Sequence, residues 1–308
     1  MSKTDIRIFS PATVSNVGPG FDLMGFALES PGDELVVRRN PAGDLVLKDY
    51  SGCNLPLDPA NNVAAVAARA LLADLEEGEG FEIEFHKKIN PGSGVGSSAA
   101  SCVAAVVGIN EILGGPFRTE ALIPYAMEGE KLASGAVHAD NIAPALLGGI
   151  TLIRGYDPMD IKHIPYPDDL WCAVIHPHLE IRTRESRKLI PGEVPIGTAL
   201  RQAGNLAGLV AGLITGDYPL IRRSVVDSLA EPYRTGQLPE FDELRKKALD
   251  AGSVGTGLSG SGPSVFSLCR GEDMATAVGK VMEAHFTEHG IGSNLYLSRI
   301  SQAGCRVL

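Results

Sequence analysis

Hydrophobic and polar positions in this chain repeat with two periods, and the periods take turns. From Gly80 to Ile89, Phe81, Ile83 and Phe85 alternate with Glu82, Glu84 and His86, the period of two that a half-buried strand imposes. Ala99 to Leu113, rich in Ala and Val and free of proline, predicts a buried helix stopped by Gly114 and Gly115. Upstream, Ile6 to Phe9 predicts a short strand, and Pro11 to Asp22 a loop punctuated by two prolines and two glycines. Leu35 to Arg39 and Leu45 to Leu47 predict strands of a meander turned at Pro41 to Asp44. Leu55 to Val63 opens an Ala-rich helix running to Leu75, with Asn61 or Asn62 as N-cap. Thr119 to Ala133 sets Leu122, Ile123, Ala126 and Met127 on one helical face. After the polar, proline-rich stretch 156–169 come a strand at Trp171 to Ile175 and helices at Thr198 to Thr215, Pro219 to Leu229 and Glu240 to Ala251. A strand at Ser264 to Leu268, a helix at Met274 to His289 and a strand at Asn294 to Ile300 complete the pattern. The composition shift divides the chain into 1–165 and 166–308.

Between the Gly80 strand and the Ala99 helix lies Pro91 to Ser101, PGSGVGSSAAS. A Gly-rich turn leading into a helix N-terminus exposes several backbone N–H groups at the positive end of a helix dipole. That is an anion cradle, and phosphate is its commonest occupant. Gly92, Gly94 and Gly96 permit positive φ and close approach of an oxygen, while Ser93, Ser97 and Ser98 offer hydroxyls to a phosphate or its metal ion. The competing reading is a serine-capped helix with a flexible approach. No Lys follows the last glycine, so this is not a Walker A loop, and three glycines spaced by two do not make GxGxxG.

Composition narrows the partners. With 308 residues, 44% hydrophobic and 21% charged, the chain is a soluble globular protein of one large or two ordinary domains. Lys and Arg number 27 against 37 Asp and Glu, a formal charge of −10 that argues against nucleic acid or an anionic membrane as main partner. A local basic site for a small anion stays compatible with that balance. Arg182, Arg184, Arg187 and Lys188 fall within seven residues, and Arg binds a carboxylate bidentately. Five scattered cysteines without CxxC read as reduced thiols, and no signal sequence or long apolar run is evident, so a cytoplasmic location is expected. Glu130 near a helix end reads as an ordinary surface carboxylate on its own, but gains weight beside a phosphate loop, because Mg²⁺ prefers a carboxylate and a hydroxyl.

The phosphate loop resembles that of the GHMP kinases, P-x-x-x-G-L-G-S-S-A-A, with Val95 in place of the Leu. PATVSNVGPGFD near the N-terminus and HADNIAPA from His138 resemble the homoserine kinase branch of that family. GSVGTGLSGSGPSVFSL resembles its third motif, with Gly260, Ser261 and Gly262 as supporting groups. The resemblance runs from Pro11 to Pro263. It implies an α+β GHMP kinase fold, with an N-terminal domain like the second domain of ribosomal S5, a ferredoxin-like C-terminal domain, and the active site between them. It also implies an ATP cradle at Pro91, Gly92, Ser93, Gly94, Val95, Gly96, Ser97, Ser98, Ala99, Ala100 and Ser101, with Asn62 and Lys87 as further nucleotide contacts. Asn62 has N-capping, and Lys87 a solvated strand end, as alternative roles. Ser98 and Glu130 are implied Mg²⁺ ligands. Asn16, Asp22, His138, Asn141, Thr183, Arg187 and Arg234 are the implied substrate contacts, with the arginines on a carboxylate and Asp22 near an ammonium.

The implied reaction is phosphorylation of the side-chain hydroxyl of L-homoserine. Where related kinases place an Asp beside the acceptor hydroxyl, this chain has Asn141, and an amide takes no proton. Either Asp140 serves, or the proton leaves through phosphate or water; the pattern favours no dedicated base. Mevalonate or another isoprenoid precursor is the alternative substrate, which two arginines and an acidic Asp22 fit less well than a zwitterion. A sensor without turnover is the alternative class, and the presence of Ser98 and Glu130 argues against it. Homodimers are common among such kinases, though nothing in this sequence selects one.

Overall fold

The computed structural model describes residues 4–75, 78–135, 137–179, 181 and 183–308; the side chains of Ser134 and Thr183 lie outside that set. In chain order the first half contains β1 (Asp5–Ser15), β2 (Met24–Asn40), β3 (Leu45–Asp49), α1 (Val63–Ala73), β4 (Gly80–Lys87), α2 (Ser97–Ile112), α3 (Ile123–Ser134), α4 (Ile142–Leu147), β5 (Ile150–Tyr156) and β6 (Met159–Ile164). The second contains β7 (Leu170–Pro177), α5 (Thr183–Lys188), α6 (Ile196–Thr215), α7 (Tyr218–Ser224), α8 (Glu231–Arg234), α9 (Phe241–Asp250), β8 (Gly255–Leu258), β9 (Val265–Arg270), α10 (Glu272–Glu288), β10 (Ser293–Arg299) and β11 (Arg306–Val307).

The first sheet runs β11-β1-β2-β4-β3, with β5 joined to the start of β2 and β6 to β5. Its apolar face and α1, α2 and α3 enclose one core around Phe81, Ile83, Phe85 and Ile109. Helix α2 is the axis of that core: nearly every residue from Ser97 to Ile112 is buried, so its apolar composition is what burial on all sides demands. The second sheet is antiparallel in the order β10-β7-β9-β8 and packs on α9 and α10. Numbered within its own half, that order is 4-1-3-2, the ferredoxin-like arrangement. A third core joins the halves, with Val14, Met24 and Phe26 of the first packed on Cys172, Val174 and Phe266 of the second. Phe26 and Phe266 meet edge to face with ring centroids 6.4 Å apart. After β10 the chain returns to the first half, where Ile300 bridges Leu28 and β11 pairs with β1. All five cysteines are free thiols.

The structure corrects several sequence expectations. Pro11 to Ser15 is strand, not loop, because a register shift between Pro11 and Thr13 lets a residue without an N–H sit at an irregularity of the ladder. The meander is absent: β2 already pairs with β1 on one edge and β4 on the other, so β3 takes the far edge of β4, in parallel. The polar stretch after Tyr156 is the β5–β6 hairpin. Helix α7 ends at Ser224, before Leu229.

Candidate active site

A cavity of about 690 Å³ opens between the two halves, floored by the N-terminus of α2. Gly96 is the N-cap, at φ 69°, and no side chain caps the helix, so its first N–H groups are left for a ligand. Positive φ at Gly92, Gly94 and Gly96 bends the approach. The loop is held from behind by the second glycine-rich segment: Ser259 Oγ donates to Gly94 O at 2.6 Å, and Ser264 Oγ to Ser93 O at 2.5 Å. Pro91, Gly92, Gly94, Gly96, Ser97, Ser98 and Ser101 line the cavity. Ser93, Val95, Ala99 and Ala100 are buried and do not line the cavity.

Ser98 Oγ donates to Glu130 Oε2 at 2.6 Å, which joins the first turn of α2 to α3. Burial pushes the Glu130 carboxyl up to about 7, against the opposing pull of the Ser98 bond. A carboxylate and a hydroxyl this close, at the mouth of an anion cradle, are a donor set suited to a hard divalent cation. Among the described residues no three His, Cys, Asp or Glu side chains gather around a metal position, so such an ion would draw its other ligands from phosphate and water. Asn62 lines the cavity while capping α1, its Oδ1 accepting from the N–H groups of Ala64 and Ala65. Lys87 does not line it; its side chain is 69% exposed and pairs with Glu34. Lys88 lines it instead. Its ammonium is buried, pairs with Asp33 at 2.9 Å and donates to Ser97 O at 2.8 Å.

Adjoining the phosphate loop, the cavity is also lined by Asn16, Asp22, His138, Asp140, Asn141, Arg187 and Arg234. Asn16 takes a positive φ of 69°, and both ends of its amide are engaged: Nδ2 donates to Gly260 O at 2.8 Å and Oδ1 accepts from Asp22 N at 3.1 Å. Asn141 is oriented likewise, accepting from Thr13 Oγ1 at 2.7 Å and donating to Ser15 Oγ at 2.9 Å. Arg187 reaches across from α5 to Asp22, 2.8 Å away. Arg234 is buried, donates to Gly260 O at 3.1 Å, and keeps a buried Nε with no partner among the described residues. His138 Nε2 is orphaned in the same way, and burial holds this imidazole below its ordinary pKa. Two unsatisfied buried donors or acceptors in one cavity are places where a polar ligand gains binding energy. Burial, then the nearby Asp22 and Glu130 charges, push the Asp140 carboxyl up to about 7. The side chain of Thr183 lies outside the described residues.

Three residues escaped the sequence reading. The Phe21 ring lies under both arginines, 4.9 Å from Arg187 Cζ and 5.2 Å from Arg234 Cζ, a cation–π contact that holds the two guanidinium groups at one place. Its signal was an aromatic between Gly20 and Asp22 in a loop otherwise short of apolar residues. Tyr156 Oη donates to Asp22 O at 2.9 Å and accepts from Ala139 N at 3.2 Å, tying the two polar loops together. Lys88 differs from its neighbour by one position only.

The comparisons with known proteins agree with this geometry. The family model for the GHMP kinases N terminal domain matches residues 61–149, and that for the GHMP kinases C terminal matches 209–288. A homoserine kinase of Chlorobium phaeovibrioides is 40% identical, covering 98% of this chain and 99% of the relative. A homoserine kinase of Pyrococcus abyssi is 38% identical over 95% and 96% of the two chains. Among solved structures, a homoserine kinase from Cytophaga hutchinsonii superposes with a TM-score of 0.96 at 43% identity, covering 100% of this chain and 98% of the other. A mevalonate kinase of L. major shares the fold, with a TM-score of 0.74 at 18% identity over 98% and 100%. With its α+β halves, its phosphate loop and these full-length relatives, the chain belongs to the GHMP kinase family and, within it, to the homoserine kinases.

Proposed function

We propose that this protein transfers the γ-phosphoryl group of ATP to the side-chain hydroxyl of L-homoserine, the activity its full-length relatives are named for. One observation carries the reading: a single cavity holds an anion cradle and, with it, two arginines gathered on Phe21 beside one acidic residue, the charge pattern of an amino acid zwitterion. The loop from Pro91 to Ser101 holds the phosphates, and Asn62 lies by the nucleotide; the position of Lys88 supports it over Lys87 as the lysine of this wall. Arg187 and Arg234 take the carboxylate, Asp22 the ammonium, and Asn16, His138, Asn141 and Thr183 complete the acceptor end. Ser98 and Glu130 would hold Mg²⁺, which would offset phosphate charge.

The homoserine oxygen attacks the γ-phosphorus, and as that O–P bond forms the bond to the β–γ bridging oxygen breaks. ADP leaves with the electron pair, and the hydroxyl proton passes to a phosphoryl oxygen or water. The transition state is loose, with little need for an early proton transfer, so alignment and electrostatics supply most of the rate. Residues 1–165 form the nucleotide-binding domain and 166–308 the second, whose final strand returns to the first sheet. The net charge of −10 supports the absence of a nucleic-acid partner, the five free cysteines support a cytoplasmic enzyme, and no helix among the described residues is long and apolar enough to cross a membrane. A homodimer belongs to the same reading, and sedimentation tests it.

The deciding experiment is a coupled assay of ADP release with Mg-ATP and L-homoserine, L-serine, mevalonate or galactose. Turnover with homoserine alone is expected. Activity on mevalonate without activity on homoserine would keep the phosphate cradle and discard the amino acid clamp. Silence with all four would favour a sensor.

A further inference from the structure

Helix α5 brings two arginines to the cavity, Arg184 and Arg187, three residues apart and therefore neighbours on one side of the helix. Their surroundings differ. Arg187 is paired with Asp22 at the acceptor end. The other cations of the wall are likewise engaged, Lys88 with Asp33 and Arg234 with Gly260 O. Among the described residues the Arg184 guanidinium makes no hydrogen bond and no ion pair, and Glu185 beside it pairs with Lys188 at 2.7 Å. Arg184 nevertheless has a defined place. A Cβ added to Gly135 would stand 3.2 Å from its Nε and 3.6 Å from one of its terminal nitrogens, so the group lies over the C-cap of α3, five residues beyond Glu130. The α5 backbone is anchored separately, by Ser186 Oγ donating to Ser261 O at 3.2 Å. A helix C-terminus attracts a cation, yet here the guanidinium donates to none of the described carbonyls, so it is parked rather than fastened.

An ATP seated on the phosphate loop brings more negative charge than one divalent ion cancels, and it brings it into the cavity that this guanidinium lines, with no partner among the described residues. We propose that Arg184 binds the terminal phosphates of ATP and stabilises the charge that grows on the β–γ bridging oxygen as the bond from it to the γ-phosphorus breaks, which makes it a catalytic residue of the transfer. A planar fork of donors suits phosphate oxygens, and an arginine at this point of a phosphoryl transfer acts on the transition state more than on the ground state. One turn of α5 then serves both reactants: Arg187 the acceptor, Arg184 the donor. The proposal rests on the ATP-dependent reading above.

Arg184→Ala and Arg184→Lys test it beside the wild type, with steady-state kinetics for both substrates and calorimetric binding of Mg-ATP and of AMP, which lacks the terminal phosphates. For Arg184→Ala the expected result is a fall in kcat/KM for ATP of about a hundredfold, with the KM for homoserine within about twofold. Mg-ATP binding should weaken at least about tenfold with AMP binding unchanged, and Arg184→Lys should recover part of the loss. Kinetics within about twofold of wild type, a rise confined to the homoserine KM, or equal losses of ATP and AMP binding would each overturn it. A wild type that does not turn over homoserine would sink the functional reading alone, because the comparison of ATP with AMP binding would still decide the role of Arg184.

Discussion

Asp140 is the residue whose chemistry the fold alters most usefully. Its carboxyl is buried, and loss of hydration with the neighbouring Asp22 and Glu130 charges lifts it from 3.8 to about 7. Such a group can accept a proton near neutral pH, so whether the hydroxyl proton goes there is an experimental question with a sharp answer. Because the transition state is loose, Asp140→Asn is expected to keep the turnover number within about tenfold; a loss of about a thousandfold would identify Asp140 as the base. The same variant has a stability signature. Between pH 4 and 7 the unfolded chain ionises Asp140 while the folded chain keeps it protonated, so the folded state binds the extra proton and loses stability as pH rises; above about 7 both forms are ionised and the loss levels off. Asparagine cannot ionise. The variant should therefore gain on the wild type by about 2 kcal/mol between pH 5 and 7 and no further above 8, read by denaturation at each pH. A difference that does not change with pH would mean that Asp140 is ionised in the folded protein.

At the scale of elements, the two glycine-rich segments act as one unit. Gly94 sits at φ 79°, and a Cβ there would meet Gly262 O at 2.6 Å and Gly262 C at 2.8 Å, backbone atoms with no rotamer to yield. Gly52 has nearly the same φ, 78°, with nothing within 4 Å of its added Cβ, and serves as the control. Gly52→Ala is expected to cost about 1 kcal/mol from backbone strain and to leave ATP binding alone. Gly94→Ala should cost about 2–4 kcal/mol and weaken ATP binding at least about tenfold, because the loop must move to clear the clash. Equal effects at the two glycines, by thermal denaturation and nucleotide titration, would mean that the contact between the segments does not shape the cradle. That pairing also marks how far the sequence could be read. The loop was legible because strand, glycine turn and apolar helix follow one another locally. Lys87 and Lys88 were not separable, because a register shift between Glu34 and Leu35 against β4 decides which of them faces the cavity, and it depends on a strand more than 40 residues away. β8 is not signalled by the alternation of the sequence, because its glycines are required by close neighbours: a Cβ on Gly255 would meet Val225 at 2.7 Å, and one on Gly257 would meet Glu231 Oε2 at 3.1 Å.

Across the whole molecule, the amino acid end of the cavity depends on a link between segments far apart in sequence. Gln202, buried on α6, donates from Nε2 to Pro19 O and to Asp227 Oδ1, each at 2.9 Å, and accepts from Ser228 N at 2.7 Å. Asp227 in turn accepts from the backbone N–H groups of Leu229, Ala230 and Glu231, which caps the short helix that carries Arg234. One side chain thus ties the loop of Phe21 and Asp22 to the helix of Arg234, while the shared core around Phe26 and Phe266 keeps the halves together without it. Gln202→Leu keeps similar volume and removes the partners of Pro19 O and Ser228 N and one donor to Asp227, at a cost of about 2–3 kcal/mol. If the link aligns the carboxylate clamp, the KM for homoserine should rise about tenfold while the KM for ATP stays within about twofold, since the phosphate loop is anchored by other contacts. Gln202→Glu, which retains an acceptor for Ser228 N but sets a carboxylate against Asp227, should be worse than Leu in the same parameter. Parallel rises in both KM values, or a lower melting temperature with neither KM changed, would reduce Gln202 to general packing and leave the arginines aligned by Phe21, Asp22 and Gly260 O.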